Sequence, residues 1–144
     1  MSDLTDYAEN KLTDALLRGQ AIGTPATWYV ALFTAAPTDA GGGTEVTGGS
    51  YARASFSASL ANWSGTQGAG TTAASSGTGG ASSNNAVISF PLPSAGWGTV
   101  THFALMDAAS SGNMWIQKAL TTPKTINSGD TVRFDANTMT LTIA

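Results

Sequence analysis

The chain has 144 residues, no cysteine and a formal net charge of −3, and only 10% of its residues are charged, against about 25% in an average domain. Serine and threonine together make 36 residues and glycine another 17, so the polar surface consists of hydroxyl and backbone groups more than of ions. This length predicts a single domain over residues 1–144. The composition excludes disulfides and cysteine-based zinc sites.

The charge and hydropathy patterns also narrow the class of partner. Because acidic residues outnumber basic ones and no basic run is present, no nucleic-acid partner is expected. No stretch of about 18 apolar residues occurs, so no membrane partner is expected either. The polar, acidic N-terminus lacks the pattern of a signal peptide.

The first segment is predicted to form one short N-terminal helix over residues 3–18. Ser2 or Asp3 is expected to cap its start, and Gly19 to end it in a left-handed conformation. Apolar residues recur at helical spacing on one face, namely Leu4, Ala8, Leu12, Ala15 and Leu16. A helix this short needs such a stripe to pack on something. Either the stripe packs within its own domain, or Leu4, Leu12 and Leu16 contact a partner subunit.

After Pro25 the pattern changes to that of β-strands. Residues 28–33 are apolar on both faces, which is typical of a strand buried on two sides. Residues 100–106 and 113–120 are predicted to form two strong strands, joined by a loop of hairpin length, 107–112, that ends in glycine. Weaker strands are predicted at 51–60, 86–90, 131–134 and 139–143. Because no helices separate these strands, the sequence predicts an all-β fold, an antiparallel β-sandwich or a jelly-roll-like or barrel arrangement.

Residues 64–85 differ from the rest of the chain because they contain almost no apolar side chain larger than alanine. Such a segment buries too little area to offset the entropy lost on ordering. We expect a long flexible loop or, alternatively, a Gly/Ser/Thr-rich arm that becomes ordered on a neighbouring subunit.

The sequence offers little catalytic chemistry. His102 is the one imidazole and lies inside a predicted strand, where a structural or surface role is expected. Asp107 is close in sequence, but serine is abundant here and no G-x-S-x-G elbow is present. The isolated carboxylates lie beside turn residues, which is the ordinary position of turn-forming Asp. We therefore predict no catalytic residue, no cofactor and no metal site, and a protein that is not an enzyme.

The four tryptophans fall into two pairs. Trp28 and Trp115 lie in strongly apolar strands and are expected in the core. Trp63 and Trp97 flank the 64–85 segment next to Ser or Gly, so exposure is more plausible for them than for the first pair. Even for these two, packing at a sheet end or contact with a partner subunit is the commoner arrangement.

Several stretches resemble a family of small virion structural proteins of tailed bacteriophages, commonly labelled tail-fibre-like. These stretches are residues 4–12 (LTDYAENKL), 25–34 (PATWYVALFT), 50–53 (SYAR), 97–107 (WGTVTHFALMD), 112–115 (GNMW) and 119–134 (ALTTPKTINSGDTVRF). They run over nearly the whole chain, except for residues 65–83. The resemblance implies a structural component of the virion and carries no catalytic residues with it.

Three functions follow from these observations, in this order. The first is a head decoration (cement) protein that binds the major capsid protein on the outer capsid, because the heptads or repeats of a long fibre are absent. The second is a tail-fibre or tail-tip protein that contacts the host surface and other tail proteins. The third is a small hydrolase that uses His102. The first two predict a homo-oligomer located in the virion.

Overall fold

The computed structural model describes residues 2–65 and 73–143. Within these ranges the chain forms one helix and nine strands, and no helix is both long and apolar enough to cross a membrane. The elements are α1 Asp6–Leu17, β1 Thr27–Ala35, β2 Thr44–Glu45, β3 Ala54–Ser57, β4 Ala81–Ser83, β5 Ile88–Ser89, β6 Gly98–Met106, β7 Met114–Ile126, β8 Arg133–Phe134 and β9 Thr140–Thr142.

The main sheet has five antiparallel strands, with β1 and β6 at its centre. β6 pairs with β1 on one side and with β7 on the other, while β2 and β3 share the opposite edge of β1. Four consecutive residues of β1, Val30 to Phe33, are buried. This confirms the strand predicted to be covered on both faces, and the β6–β7 hairpin is confirmed as well.

Two short antiparallel ribbons, β4–β9 and β5–β8, pack over one face of the main sheet. Apolar residues from both layers belong to one cluster: Ile88, Phe90, Met139 and Leu141 pack with Val30, Leu32, Phe103 and Leu105. A smaller cluster around Phe33, Met106 and Met114 lies on the other face. The all-β class with one short helix is thus confirmed, and the single-domain organisation of residues 1–144 stays a prediction.

The helix begins later than the sequence suggests, at Asp6 instead of residue 3. Residues 3–5 are extended, because they pair with the edge of β7: the Thr5 N–H donates to the Trp115 carbonyl at 3.0 Å, and Leu4 bridges to Ile116. Thr5 is therefore the N-cap, and the predicted caps Ser2 and Asp3 were wrong. Gly19 does adopt the expected left-handed backbone, with φ 64°.

Two strands escaped the sequence analysis, β2 and β4. β4 falls inside the 64–85 segment, where Ala81–Ser83 pairs with β9 and the Ser64 N–H donates to the Ser83 carbonyl at 2.8 Å. Both ends of that segment are thus bonded to this chain. The part of the predicted loop or arm at 66–72 lies outside the described residues.

Candidate functional site

The hairpin loop, residues 107–113, lies at one end of the main sheet between two clefts. The first cleft has a volume of about 440 Å³ and is lined by the start of α1, the 39–43 loop, β2 and the hairpin loop. The second cleft, of about 380 Å³, lies between residues 45–53 and the tip of the hairpin loop. Glu45 lines both clefts, so the hairpin loop forms a ridge between them.

Arg53 fastens this ridge to the body of the protein. Its Nε and Nη2 donate to the two Glu45 carboxylate oxygens, each at 2.8 Å. Its Nη1 donates to the Ala108 carbonyl at 2.7 Å and to the Ser111 carbonyl at 2.8 Å. The Arg53 side chain is only 6% exposed, and its hydrogen bonds to Glu45 raise its pKa above the ordinary value. One buried cation thus holds two carbonyls of the hairpin loop.

Tyr51 completes the network beneath the loop. Its hydroxyl donates to Glu45 Oε1 at 2.9 Å and accepts the Leu32 N–H, also at 2.9 Å. Burial raises the pKa of Tyr51 well above its ordinary value, so the phenol stays neutral. Glu45 therefore accepts from both Tyr51 and Arg53, which fixes the orientation of its carboxylate.

The hairpin loop is also held by hydrogen bonds to the carboxylate of Asp107. The Asp107 carboxylate accepts from the Asn113 N–H at 2.7 Å, from Asn113 Nδ2 at 2.8 Å and from Trp115 Nε1 at 3.2 Å. Partial burial acts to raise the pKa of Asp107, but these hydrogen bonds together lower it below the ordinary value. Ser111 and Gly112 both have positive φ, 53° and 76°. A Cβ at position 112 would lie 2.5 Å from Asp107 Oδ1, so the turn requires glycine.

The residues considered for hydrolase chemistry are not brought together. His102 Nδ1 lies 2.9 Å from the Thr101 hydroxyl, while the Asp107 carboxylate is engaged by Asn113 and Trp115. Among residues 2–65 and 73–143, no group of three His, Cys, Asp or Glu side chains could hold a metal ion.

The three leucines predicted as partner contacts have different environments. Leu4 precedes the helix and packs against the main core cluster. Leu12 is half-buried, whereas Leu16 is 72% exposed and is followed by the exposed Leu17. Ala8 is the buried residue of α1, so the stripe packs at its N-terminal end, where Thr5 fixes the helix to β7, and not along its whole length. Partner contact by these leucines stays a prediction.

The two tryptophans that flank the 64–85 segment also differ. Trp97 is only 4% exposed, and its Nε1 donates to the Gly49 carbonyl at 2.9 Å, so of the two alternatives it packs inside this chain, and exposure was wrong. A Cβ on Gly49 would touch the Trp97 ring at 3.0 Å, which shows how closely the backbone covers it. Trp63 is half-buried, stacks on Phe56 with ring centroids 5.2 Å apart, and donates from Nε1 to the Ser82 hydroxyl at 2.7 Å.

Trp63 belongs to a third, more apolar cleft away from the hairpin loop. This cleft has a volume of about 250 Å³, and its lining includes Trp28, Phe56, Trp63 and Ile143. Trp115 is buried as expected, while Trp28 is half-buried beside it at a ring distance of 5.5 Å.

The central residues of the network, Glu45, Tyr51 and Arg53, were not among the predicted site residues. One signal was present: Tyr51 and Arg53 fall on the same side of a predicted strand, in a chain with only six basic residues. The hairpin-loop partners of Arg53 are more than 50 positions away, and such pairings leave no local pattern.

Comparison with known proteins gives the chain its family. The model of a family described as the podophage GP4 fiber I protein gp80 matches residues 3–142. A search of curated proteins finds no match. The family match spans the helix, all nine strands and the hairpin loop. It confirms the resemblance to tail-fibre-like virion proteins, and the chain belongs to the family of the podophage GP4 fiber I protein gp80.

Proposed function

We propose that this chain is a tail-fibre or tail-tip protein of the virion, which assembles with other tail proteins and contacts the host surface. The observation that carries the proposal is the match of residues 3–142 to the family of a podophage fiber protein. At a coarser level, the family is one of phage virion structural proteins, and association with other virion proteins follows from it.

The geometry supports a binding function and not a chemical one. The hairpin loop is fastened by Arg53 and Asp107 and presents the exposed residues 109–113 at one end of the sheet. Rigid scaffolds that display loops are a common basis for recognition. A homo-oligomer remains part of the proposal, because fibres are built from repeated subunits and Leu16 and Leu17 offer apolar surface for such contacts.

The head decoration function differs from this proposal in its location on the particle and in its partner, the major capsid protein. The family match supports the fibre function more than decoration. Immunogold electron microscopy of whole virions separates the two. We expect label confined to the tail and its appendages, whereas label spread over the head would overturn the proposal and establish decoration.

A second measurement tests host contact itself. Excess purified chain is mixed with host cells before the phage is added, and adsorption of the phage is counted. We expect the chain to compete with the phage and to lower adsorption. Tail label without any competition would leave a tail component that does not contact the host, and this outcome would contradict the proposed host contact.

A further inference from the structure

The geometry around the hairpin loop indicates where a ligand binds and what chemistry it has. We propose that the hairpin loop and the first and second clefts beside it form a preformed binding surface for an uncharged, hydroxyl-rich ligand, a neutral saccharide. Arg53 acts as the positioning residue of this surface. The inference rests on the proposed host contact and deepens it.

The first step is that the hairpin loop is held more firmly than its composition requires. A tip of alanine, serine and glycine needs no buried ion pair to turn a chain, yet Arg53 and Glu45 are brought together beneath it. Burying charge costs free energy, so such a pair is weak evidence for stability and better explained by the geometry it fixes. The positive φ of 53° at Ser111 adds backbone strain at the same place.

The tip of the hairpin loop, which Arg53 holds in place, faces solvent. Ala109, Ser110 and Ser111 are exposed, and they border the second cleft, while Gly112 and Asn113 border the first. A loop that keeps its bound shape in the free protein loses less entropy on binding. The fastening therefore has its effect on a surface that a ligand can reach.

The third step concerns the charge of the ligand. Of the described residues that line the two clefts, none is Lys or His, and the one cation is Arg53, whose guanidinium already makes four hydrogen bonds within the protein. The carboxylates of Asp6, Asp39 and Glu45 line the first cleft. Lys11 lies nearby, with its Nζ 5.8 Å from the centroid of the Tyr7 ring, but three carboxylates outnumber it, so the surface disfavours an anionic saccharide. The hydroxyls of an uncharged saccharide can donate to the same carboxylates.

The fourth step distinguishes a saccharide from a protein partner. Protein interfaces depend on large anchors such as Trp, Tyr and Arg, and the exposed tip offers alanine and serine instead. The clefts of about 440 and 380 Å³ fall within the range typical of small-ligand sites, about 300–1,000 Å³. The carboxylates and glycine backbone of the first cleft, with the hydroxyls of Thr47, Ser110 and Ser111 in the second, present hydrogen-bonding groups suited to sugar hydroxyls.

The test measures binding of the fluorescently labelled full chain to intact host cells, to cells oxidised with periodate, which cleaves sugar diols, and to protease-treated cells. We expect periodate to abolish binding and protease to leave it unchanged. Raising the salt from about 50 to about 500 mM should change the affinity less than about twofold, because an uncharged ligand gives salt little to screen.

Variants connect the binding to this surface. Arg53→Met releases the hairpin loop, and Ser110→Trp fills the exposed tip without touching the ion pair; each should weaken binding at least about tenfold. Arg133→Met, which breaks the exposed ion pair with Asp135, and Thr122→Trp, at the far part of β7, are matched controls that should bind as the unaltered chain does. If Arg53→Met fails to fold, Ser110→Trp still decides the matter.

Each remaining outcome has a distinct meaning. Binding that protease removes and periodate spares identifies a protein partner and overturns the ligand class. Strong weakening by salt overturns the uncharged character of the ligand. Normal binding by Ser110→Trp moves the contact elsewhere while host contact stands. A chain that binds no cells at all contradicts the proposed host contact and the inference with it.

Discussion

Arg53 and Asn84 each hold a stretch of irregular backbone with one side chain, but they do so with different chemistry. Arg53 donates to two carbonyls of the exposed hairpin loop and needs Glu45 to balance its charge. Asn84 is fully buried, accepts the Met139 N–H at 2.9 Å, and donates to the Ala86 and Asp135 carbonyls at 2.8 and 2.9 Å.

The difference shows where this protein uses charge. The amide of Asn84 is neutral, so it can be enclosed without a counterion and fastens one part of the interior to another. The guanidinium of Arg53 needs both a carboxylate and a location near the surface, and what it fastens is a tip exposed to solvent. The hydrogen bonds of Asn84 stabilise the fold, and those of Arg53 fix the shape of an exposed surface.

The largest effect is expected from removing the side chain of Asn84, which holds the interior backbone. Asn84→Ala removes the side-chain partner of the Met139 N–H and of the Ala86 carbonyl, while the Asp135 carbonyl keeps its bonds from Thr138. The substitution also creates a cavity, so the free energy of unfolding should fall by about 3 kcal/mol. Chemical denaturation measures the loss. The neighbouring Asn85→Ala is the control. Among the described residues the Asn85 side chain makes one hydrogen bond, from Nδ2 to the Leu60 carbonyl, and its buried Oδ1 has no partner, so a loss of about 1 kcal/mol is expected. Equal losses would remove the special role of Asn84.

Substituting Gly112 tests the geometry of the hairpin loop. The Gly112→Ala Cβ would meet Asp107 Oδ1 at 2.5 Å and the Ala108 Cβ at 2.7 Å, in addition to the strain of a positive φ. We expect a loss of about 2.5 kcal/mol. Gly129→Ala, with φ 84° and nothing within 4 Å of its added Cβ, isolates the backbone strain and should cost about 1 kcal/mol. Thermal unfolding of the two variants compares them, and equal shifts would show that the loop relaxes freely.

Breaking the surface fastening should cost less than breaking the interior one. Arg53→Met leaves Glu45 partly buried without its cation, and we expect a loss of about 2 kcal/mol. Arg133→Met removes the ion pair with Asp135, in which both side chains are more than half exposed, and should cost less than about 0.5 kcal/mol. In the double variant Arg53→Met with Glu45→Gln, the loss should be smaller than the sum of the two single losses. If the losses in unfolding free energy, measured by denaturation, are additive, Arg53 and Glu45 are not coupled.

The smallest expected effect is a pH dependence at Asp107. Its pKa in the folded protein lies below the ordinary 3.8, so the hydrogen-bonded carboxylate stabilises the fold above that pH. The contribution is lost as the pH falls through the folded pKa. The stability difference between the unaltered chain and Asp107→Asn, less than about 1 kcal/mol at neutral pH, should shrink as the pH falls below about 4. A stability difference that grows as the pH falls would contradict a lowered pKa of Asp107.

The sequence predicts the elements that local pattern determines. Strand β1, which is apolar on both faces, and the β6–β7 hairpin are found where the sequence predicts them, although β7 continues beyond residue 120 to Ile126. β2 and β4 are two and three residues long, and they become strands because β1 and β9 offer them partners. Such strands are determined by tertiary pairing and not by propensity.

The site was harder to predict for the same reason. The glycines beside Trp97 suggest an exposed loop, but Gly49 lies against its ring and a carbonyl 48 positions away accepts its N–H. Arg53 likewise meets its hairpin-loop partners at separations of 55 and 58 positions. Only the folded chain brings these groups together.

The extended residues 3–5 have a consequence for how the protein is made. Asp3 bonds to Lys118 and to the Thr142 N–H, 139 positions away, and Thr5 caps the helix while bonded to the Met114 carbonyl. A ribosome that adds about 5–20 residues each second emits the helix first and its docking strand several seconds later. Helix α1 therefore stays undocked and marginally stable until β7 and β9 have been synthesised, more than 100 positions further along the chain. Any contact that needs the docked helix forms only after that point.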